Sequence, residues 1–216
     1  MDDVSLPRVP VPSGVTLLHR VSVKPHHVGA WRPLWDEERA LRADHGFVTH
    51  RASLGTVAEP KLTWLYSHPD PDAGERSLTA DPRWGELLAR LAPHRFGNLL
   101  VRPVCLEVLT RAEAASTAGR IAIIRRYSIV GDWQGFLGIW RRIVPVRERY
   151  GFRCLFAASD EPASMFTWAF DFAGSWEDFP DAQRGYYRDP ARVELRGVFD
   201  HMADYDISPA VPLPLA

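Results

Sequence analysis

The chain has 216 residues, 46% hydrophobic and 25% charged, with a formal net charge of -1 at pH 7. That is enough apolar mass for a core, and it provides no basic field to draw nucleic acid. No apolar run approaches the roughly 18 residues of a membrane span.

Residues 1–14 form a Pro-punctuated arm with no signal-like apolar segment, so a cytoplasmic protein is expected. Cys105 and Cys154 lack CxxC spacing and read as small buried hydrophobes in a reducing compartment. A strand is predicted over 15–23 and is broken by Pro25. From His27 to Asp44, Trp31, Leu34, Trp35, the stem of Glu38, and Leu41 share one helical face, and Gly46 stops the helix. Strands follow over 47–54 and 62–67. A second helix over 82–91 starts on Asp81 as N-cap with Pro82 at its first position, and residues 99–109 make a fourth strand.

The segment 110–119 is small and polar, a linker within 110–120 between two repeats. The order then recurs: strand 121–129, helix 133–150, strands 152–158 and 165–172, helix 190–202. The Pro-rich end, from Asp206, is an edge strand or an extended arm. Trp35 recurs as Trp140, Gly46-Phe47 as Gly151-Phe152, Thr63-Trp64 as Thr167-Trp168 and Asp81-Pro82 as Asp189-Pro190, about 105 residues later. Two domains, 15–109 and 121–216, are therefore expected, each a ferredoxin-like βαββαβ repeat in an α+β fold. A sheet with helices on one face leaves the other bare, and packing the two sheets face to face gives an intramolecular, pseudo-dimeric α/β barrel. The chain is then a monomer with an internal pseudo-twofold, with a dimer as the alternative.

The motifs carry a family resemblance. R-x-Y stands at Arg125 to Tyr127, V-K-P…W from Val23 to Trp35, W-x-Y at Trp64 to Tyr66 and D-P-x-W at Asp81 to Trp84. Their order and spacing resemble the NIPSNAP-like branch of the dimeric α/β-barrel superfamily, as a tandem chain. The first copy departs with His19-Arg20-Val21 in place of R-x-Y, and the second with Trp168-Ala169-Phe170 and D-P-A-R. The resemblance implies the barrel and the company of cofactor-free monooxygenases, isomerases, cyclases and haem-handling enzymes, without choosing among them.

The copies differ where chemistry could sit. Seven of eight histidines lie in the first half. Period-two alternation puts Trp64, Tyr66 and His68 on one face of the third strand, where the second copy has Trp168, Phe170 and Phe172. His19 aligns with Arg125, and Val21 with Tyr127. These are placed on the barrel side, with Leu18 and Ile124 toward the helices. His19, Tyr66 and His68 are the candidate catalytic residues, because imidazole titrates near neutrality and a phenol can donate to a developing oxyanion. Trp64, Arg125, Tyr127, Trp168 and Phe170 are candidates for substrate binding, with Arg125 suited to a carboxylate.

No metal spacing or phosphate loop is present, so no cofactor and no metal are expected. The function expected is general acid–base cyclisation, isomerisation or lyase chemistry on an apolar aromatic or polyketide-like metabolite. Cofactor-free oxygenation of a phenol is the neighbouring alternative, and a non-catalytic ligand-binding or interaction protein is the third. His19 and Tyr66 within reach of each other in a closed cavity favour catalysis; side chains turned to solvent or the helices favour binding.

Overall fold

The computed structural model describes residues 8–10, 12–110 and 119–215. The expected arm and linker therefore fall mostly outside the described residues. Residue contacts divide the chain into two compact units, one built on Pro12–Val104 and the other on Cys105–Ala210.

In the first unit β1 (Val15–Val23) leads through a single 3-10 turn, Pro25–His27, into α1 (Val28–Asp44). There follow β2 (Val48–Gly55), β3 (Lys61–His68), α2 (Pro71–Ala80), α3 (Pro82–Leu91) and β4 (Arg95–Leu109). The strands pair antiparallel in the order β4-β1-β3-β2. Asp81 caps α3 through the Arg83 amide, as its Asp-Pro start predicts. The ten-residue α2 is an addition to the expected elements. It opens with the same device, since Asp70 accepts from the Ala73 amide ahead of Pro71.

The second unit carries β5 (Arg120–Ile129), α4 (Trp133–Glu148), β6 (Arg153–Asp160), β7 (Met165–Ala173), α5 (Phe179–Arg188), α6 (Pro190–Glu194) and β8 (Met202–Pro212). Its order is β8-β5-β7-β6. The single helix expected over 190–202 is instead a five-residue α6 and a 3-10 turn over Arg196–His201, while α5 is new. Each repeat is thus βαββααβ, the ferredoxin-like pattern with one helix more. The Pro-rich end is a true strand whose residues Met202 to Ala210 pair with β5. Cys105 is exposed, not buried as expected, while Cys154 is buried.

By hydrogen bonding the eight strands follow the closed order β1-β3-β2-β8-β5-β7-β6-β4. The fold class is the α+β barrel expected. Among the described residues no helix is long and apolar enough to cross a membrane.

Within each unit one sheet face buries the helix stripes. Leu17, Val21 and Val23 of β1 and Leu62, Trp64 and Tyr66 of β3 share a core with Trp31, Leu34, Trp35 and Leu41 of α1. In the second unit Ile123 and Tyr127 of β5 and Phe166, Trp168 and Phe170 of β7 do so with Phe136, Trp140 and Ile143 of α4. The alternation expected from the sequence is present, but its direction is reversed. His19, Tyr66, Tyr127 and their face partners turn to the helices of their own unit. The reason is ring area. Trp35 packs edge-on to Trp64 at 5.7 Å and Trp140 to Trp168 at 5.6 Å, so the aromatic face is the one that covers the helices.

Candidate functional site

In the first unit the register sets His19 of β1 opposite Trp64 of β3. The imidazole lies 5.3 Å from the Trp64 ring and 6.1 Å from the Tyr66 ring, under α1. It is fully buried, and among the described residues neither ring nitrogen has a hydrogen-bond partner; the buried Tyr66 hydroxyl has none either. An unpaired buried polar group costs about 1–3 kcal/mol, so ordinary packing does not account for three in one layer.

Electrostatics fix the protonation states. Burial first, then the Arg42 and Arg95 cations, hold His19 well below the ordinary histidine range, so it is neutral at pH 7. Burial pushes the Tyr66 phenol up against the opposing pull of Arg42. The two cations are themselves answered by carboxylates. Arg42 donates to Glu75 at 2.6 Å and lies 3.8 Å from Glu38, while Arg95 donates to the other oxygen of Glu38. Glu38 contributes more than its stem, since its carboxylate is buried and ion-paired in the core layer.

The Arg42 guanidinium is also enclosed by rings, with Trp84 at 5.0 Å, Phe47 and Tyr66 at 5.2 Å and Trp64 at 5.9 Å. Each such contact is worth up to about 2 kcal/mol when desolvated. Trp64 is anchored by its indole N–H, which donates to Thr49 Oγ1 at 3.1 Å.

His68 shares this face but has other work. Its Nδ1 accepts the Asp70 amide at 2.9 Å, which leaves Nε2 to donate to the His45 carbonyl at 3.1 Å. Both nitrogens are committed to holding loops, and none is left for proton transfer. His27, ahead of α1, meets His94 from the turn before β4, with their Nδ1 atoms 3.0 Å apart. Among the described residues no three His, Cys, Asp or Glu lie together as a metal site.

The second unit repeats the layer with different chemistry. Arg125 stands where His19 does, with its guanidinium 5.5 Å from the Tyr127 ring. Tyr127 accepts the Trp168 indole N–H at 2.9 Å. Phe170, in the place of Tyr66, lies 4.3 Å beneath Arg147. Arg125, Tyr127, Trp168, Arg147, Tyr186, Tyr187 and Arg192 all line one cavity of about 20 Å3, room for a single water molecule. The candidates for binding therefore fall into two separate groups, Trp64 with His19 and Tyr66, and Arg125, Tyr127 and Trp168 with Phe170 close by.

Sequence reasoning missed Glu38 as a charge, and Arg42, Glu75, Arg147 and Arg192 altogether. The signal was present at Glu38 and Arg42, an i, i+4 pair on an apolar helix stripe. The D-P-x-W to D-P-A-R change pointed at Arg192.

No family model matches the sequence, and no curated protein matches it. Solved structures do match in shape. A proposed monooxygenase of Fusobacterium nucleatum has a TM-score of 0.65 at 11% identity, with 94% of each chain covered. A proposed monooxygenase of Lactobacillus acidophilus NCFM has a TM-score of 0.62 at 10% identity, covering 93% of this chain and 94% of its own. An anthrone oxidase-like protein has a TM-score of 0.65 at 13% identity, covering 96% and 95%. These neighbours belong to the dimeric α/β-barrel superfamily, and at such identities the likeness shows the fold.

Proposed function

We propose that this chain is a small-molecule enzyme acting on the ionisable hydroxyl of an apolar aromatic metabolite, with His19 as proton acceptor and Tyr66 as the group that orients the substrate oxygen. One observation carries the reading: a neutral, fully buried imidazole with two unpartnered nitrogens beside an unpartnered phenol. A substrate O–H would give its proton to His19, leaving an oxyanion within the field of Arg42 and Arg95. Burial opposes making two charges there, and the same cations that weaken His19 as a base favour that anion and offset part of the cost. Trp64, Trp35 and Phe47 supply a ring-lined layer for a planar substrate. His68 has a structural part in this scheme.

Cyclisation, isomerisation and elimination all begin with such a transfer. Oxygenation is the reaction to test first, because neighbours of the same fold carry monooxygenase and anthrone oxidase-like names. An activated ring methylene and dioxygen would give a ring carbonyl and water, with dioxygen as the oxidant and the substrate anion as the electron source.

The test is a panel of anthrones, naphthols and phenolic polyketides incubated under air and under argon, followed by oxygen uptake and mass spectrometry. Oxygen consumption matched to an oxidised product, lost in His19→Phe, supports oxygenation. An isomeric product under argon, also lost in that variant, supports the acid–base alternative. Turnover unchanged in His19→Phe removes His19 from the chemistry.

The helix-facing orientation of His19 and Tyr66 favours a second reading, passive binding, over catalysis. Tight binding of panel compounds by wild type, without any product, would establish that reading.

A further inference from the structure

We propose that the unit built on Cys105–Ala210 holds a second site, which binds the carboxylate of a small aromatic acid between Arg125, Arg147 and Arg192. This goes beyond the reading given for His19 and does not depend on it. Arg125, Arg147 and Arg192 are 4%, 2% and 4% exposed and line one cavity. Among the described residues none of them has a carboxylate within ion-pair distance. Their polar company is phenolic, and the nearest bond, from Arg125 Nη1 to the Tyr187 hydroxyl, is long at 3.4 Å. Arg147 Nε and Nη1, Arg125 Nε and Arg192 Nε have no hydrogen-bond partner among the described residues. Buried cations are ordinarily paired, and the aromatic rings around Arg147 stabilise its charge without neutralising it.

The other half of the chain shows what this arrangement lacks. Arg42 and Arg147 occupy equivalent turns of α1 and α4, each sandwiched by equivalent rings, Phe47 and Trp64 in one and Phe152 and Trp168 in the other. Arg42 has Glu38 four residues before it and Glu75 across on α2. At the matching places the second half has Ile143 and, on α5, Gln183, whose buried amide oxygen is itself unpartnered. Both counterions are gone, while Arg125 replaces His19 and Arg192 replaces Trp84, which adds two cations. The duplicate has exchanged an internal carboxylate for a place where an external one fits.

The chemistry of the ligand follows from size and walls. One carboxylate oxygen can take the place of the single water that the cavity of about 20 Å3 admits, and guanidinium forks match a carboxylate. Its walls are Trp140 and Trp168, and the half-exposed rings of Tyr187 and Phe199 sit at its rim, where the body of an aromatic acid can stack. The cations act on Tyr187 in the same sense: Arg125 foremost, then Arg147, outweigh its burial and lower its phenol.

The test is calorimetric titration of the full chain with benzoate and with benzamide, its neutral isostere. Benzoate is expected to bind one per chain and benzamide to bind at least about tenfold more weakly, with a comparable loss for benzoate in Arg147→Gln. Should Arg147→Gln fail to fold, Ile143→Glu decides. It restores the carboxylate that Glu38 supplies to Arg42, and is expected to raise the melting temperature of the free protein while abolishing benzoate binding. Equal affinity for benzamide, no benzoate binding at millimolar concentration, or an Ile143→Glu protein that melts lower and still binds benzoate would each overturn the proposal. His19→Phe should leave the benzoate affinity unchanged; if binding is lost there, the anion is held in the first half and this site is refuted.

Discussion

His19 and Arg125 hold the same place on the first strand of the two repeats, and each is a polar group among rings. They differ in how pH reaches them. His19 is depressed below its unfolded value of about 6.5 by burial, Arg42 and Arg95. Protonation therefore favours the unfolded chain: the contribution is neutral above about pH 6.5, and stability is lost as pH falls below it. His50, lowered by burial, acts in the same sense. His19→Phe is expected to flatten, without removing, the decline in unfolding free energy between about pH 6.5 and 5, read by urea titration at each pH. At pH 7.5 the same variant should be as stable as wild type or more so, since it removes two unpaired nitrogens and roughly keeps the ring volume. A loss above about 2 kcal/mol there would mean that the imidazole holds the layer together. A gain in stability on replacing His19 is what a stability–function trade-off at this residue predicts.

Helices and turns show how far local sequence determines this fold. The Asp-Pro starts, the glycine stops and the period-two strands were all legible, because each is settled by a residue and its near neighbours. The direction of the sheet faces was not. Alternation groups His19 with Val21, but it does not say which group meets the helices; that depended on the fit of Trp35 on Trp64. The buried pair Glu38–Arg42 escaped for the same reason, since an i, i+4 pair has one sequence whether it faces solvent or a core. Helix α2 was missed although Asp70-Pro71 repeats the Asp81-Pro82 device. The turn after the first helix of each repeat offers a test at this scale. Gly46 and Gly151 have φ of +86° and +80°, and both should lose about 1 kcal/mol on change to Ala. Only at Gly46 would the new Cβ meet His68 Nε2, at 3.0 Å. Gly46→Ala is therefore expected to be the more destabilising in thermal melts; equal losses would show that His68 is not the constraint there. At the start of α4, Asp132 accepts from the amides of Gln134 and Gly135. Asp132→Ala should cost about 0.5–2 kcal/mol by urea unfolding, and a smaller effect would mean that water replaces the cap.

Among the described residues the strand order returns to its beginning and leaves no unpaired strand edge to recruit another chain. Light scattering on the purified protein should therefore give a single chain of 24.4 kDa, and a stable dimer would show that another surface drives association. The two candidate sites share no residue, so Arg147→Gln should cost as much benzoate affinity in the His19→Phe background as in wild type; a difference beyond about 0.5 kcal/mol would reveal coupling. Duplication has a further consequence through the two ring-clasped arginines. A dual-beam spectrometer cancels drift by passing light through a sample and a blank of the same construction. Here Arg42, with its carboxylates built in, is the blank, and Arg147, with none, is the sample. Changes in salt, temperature or crowding act on both. A dissolved acid distinguishes them, so the chain carries its own baseline for the presence of that molecule.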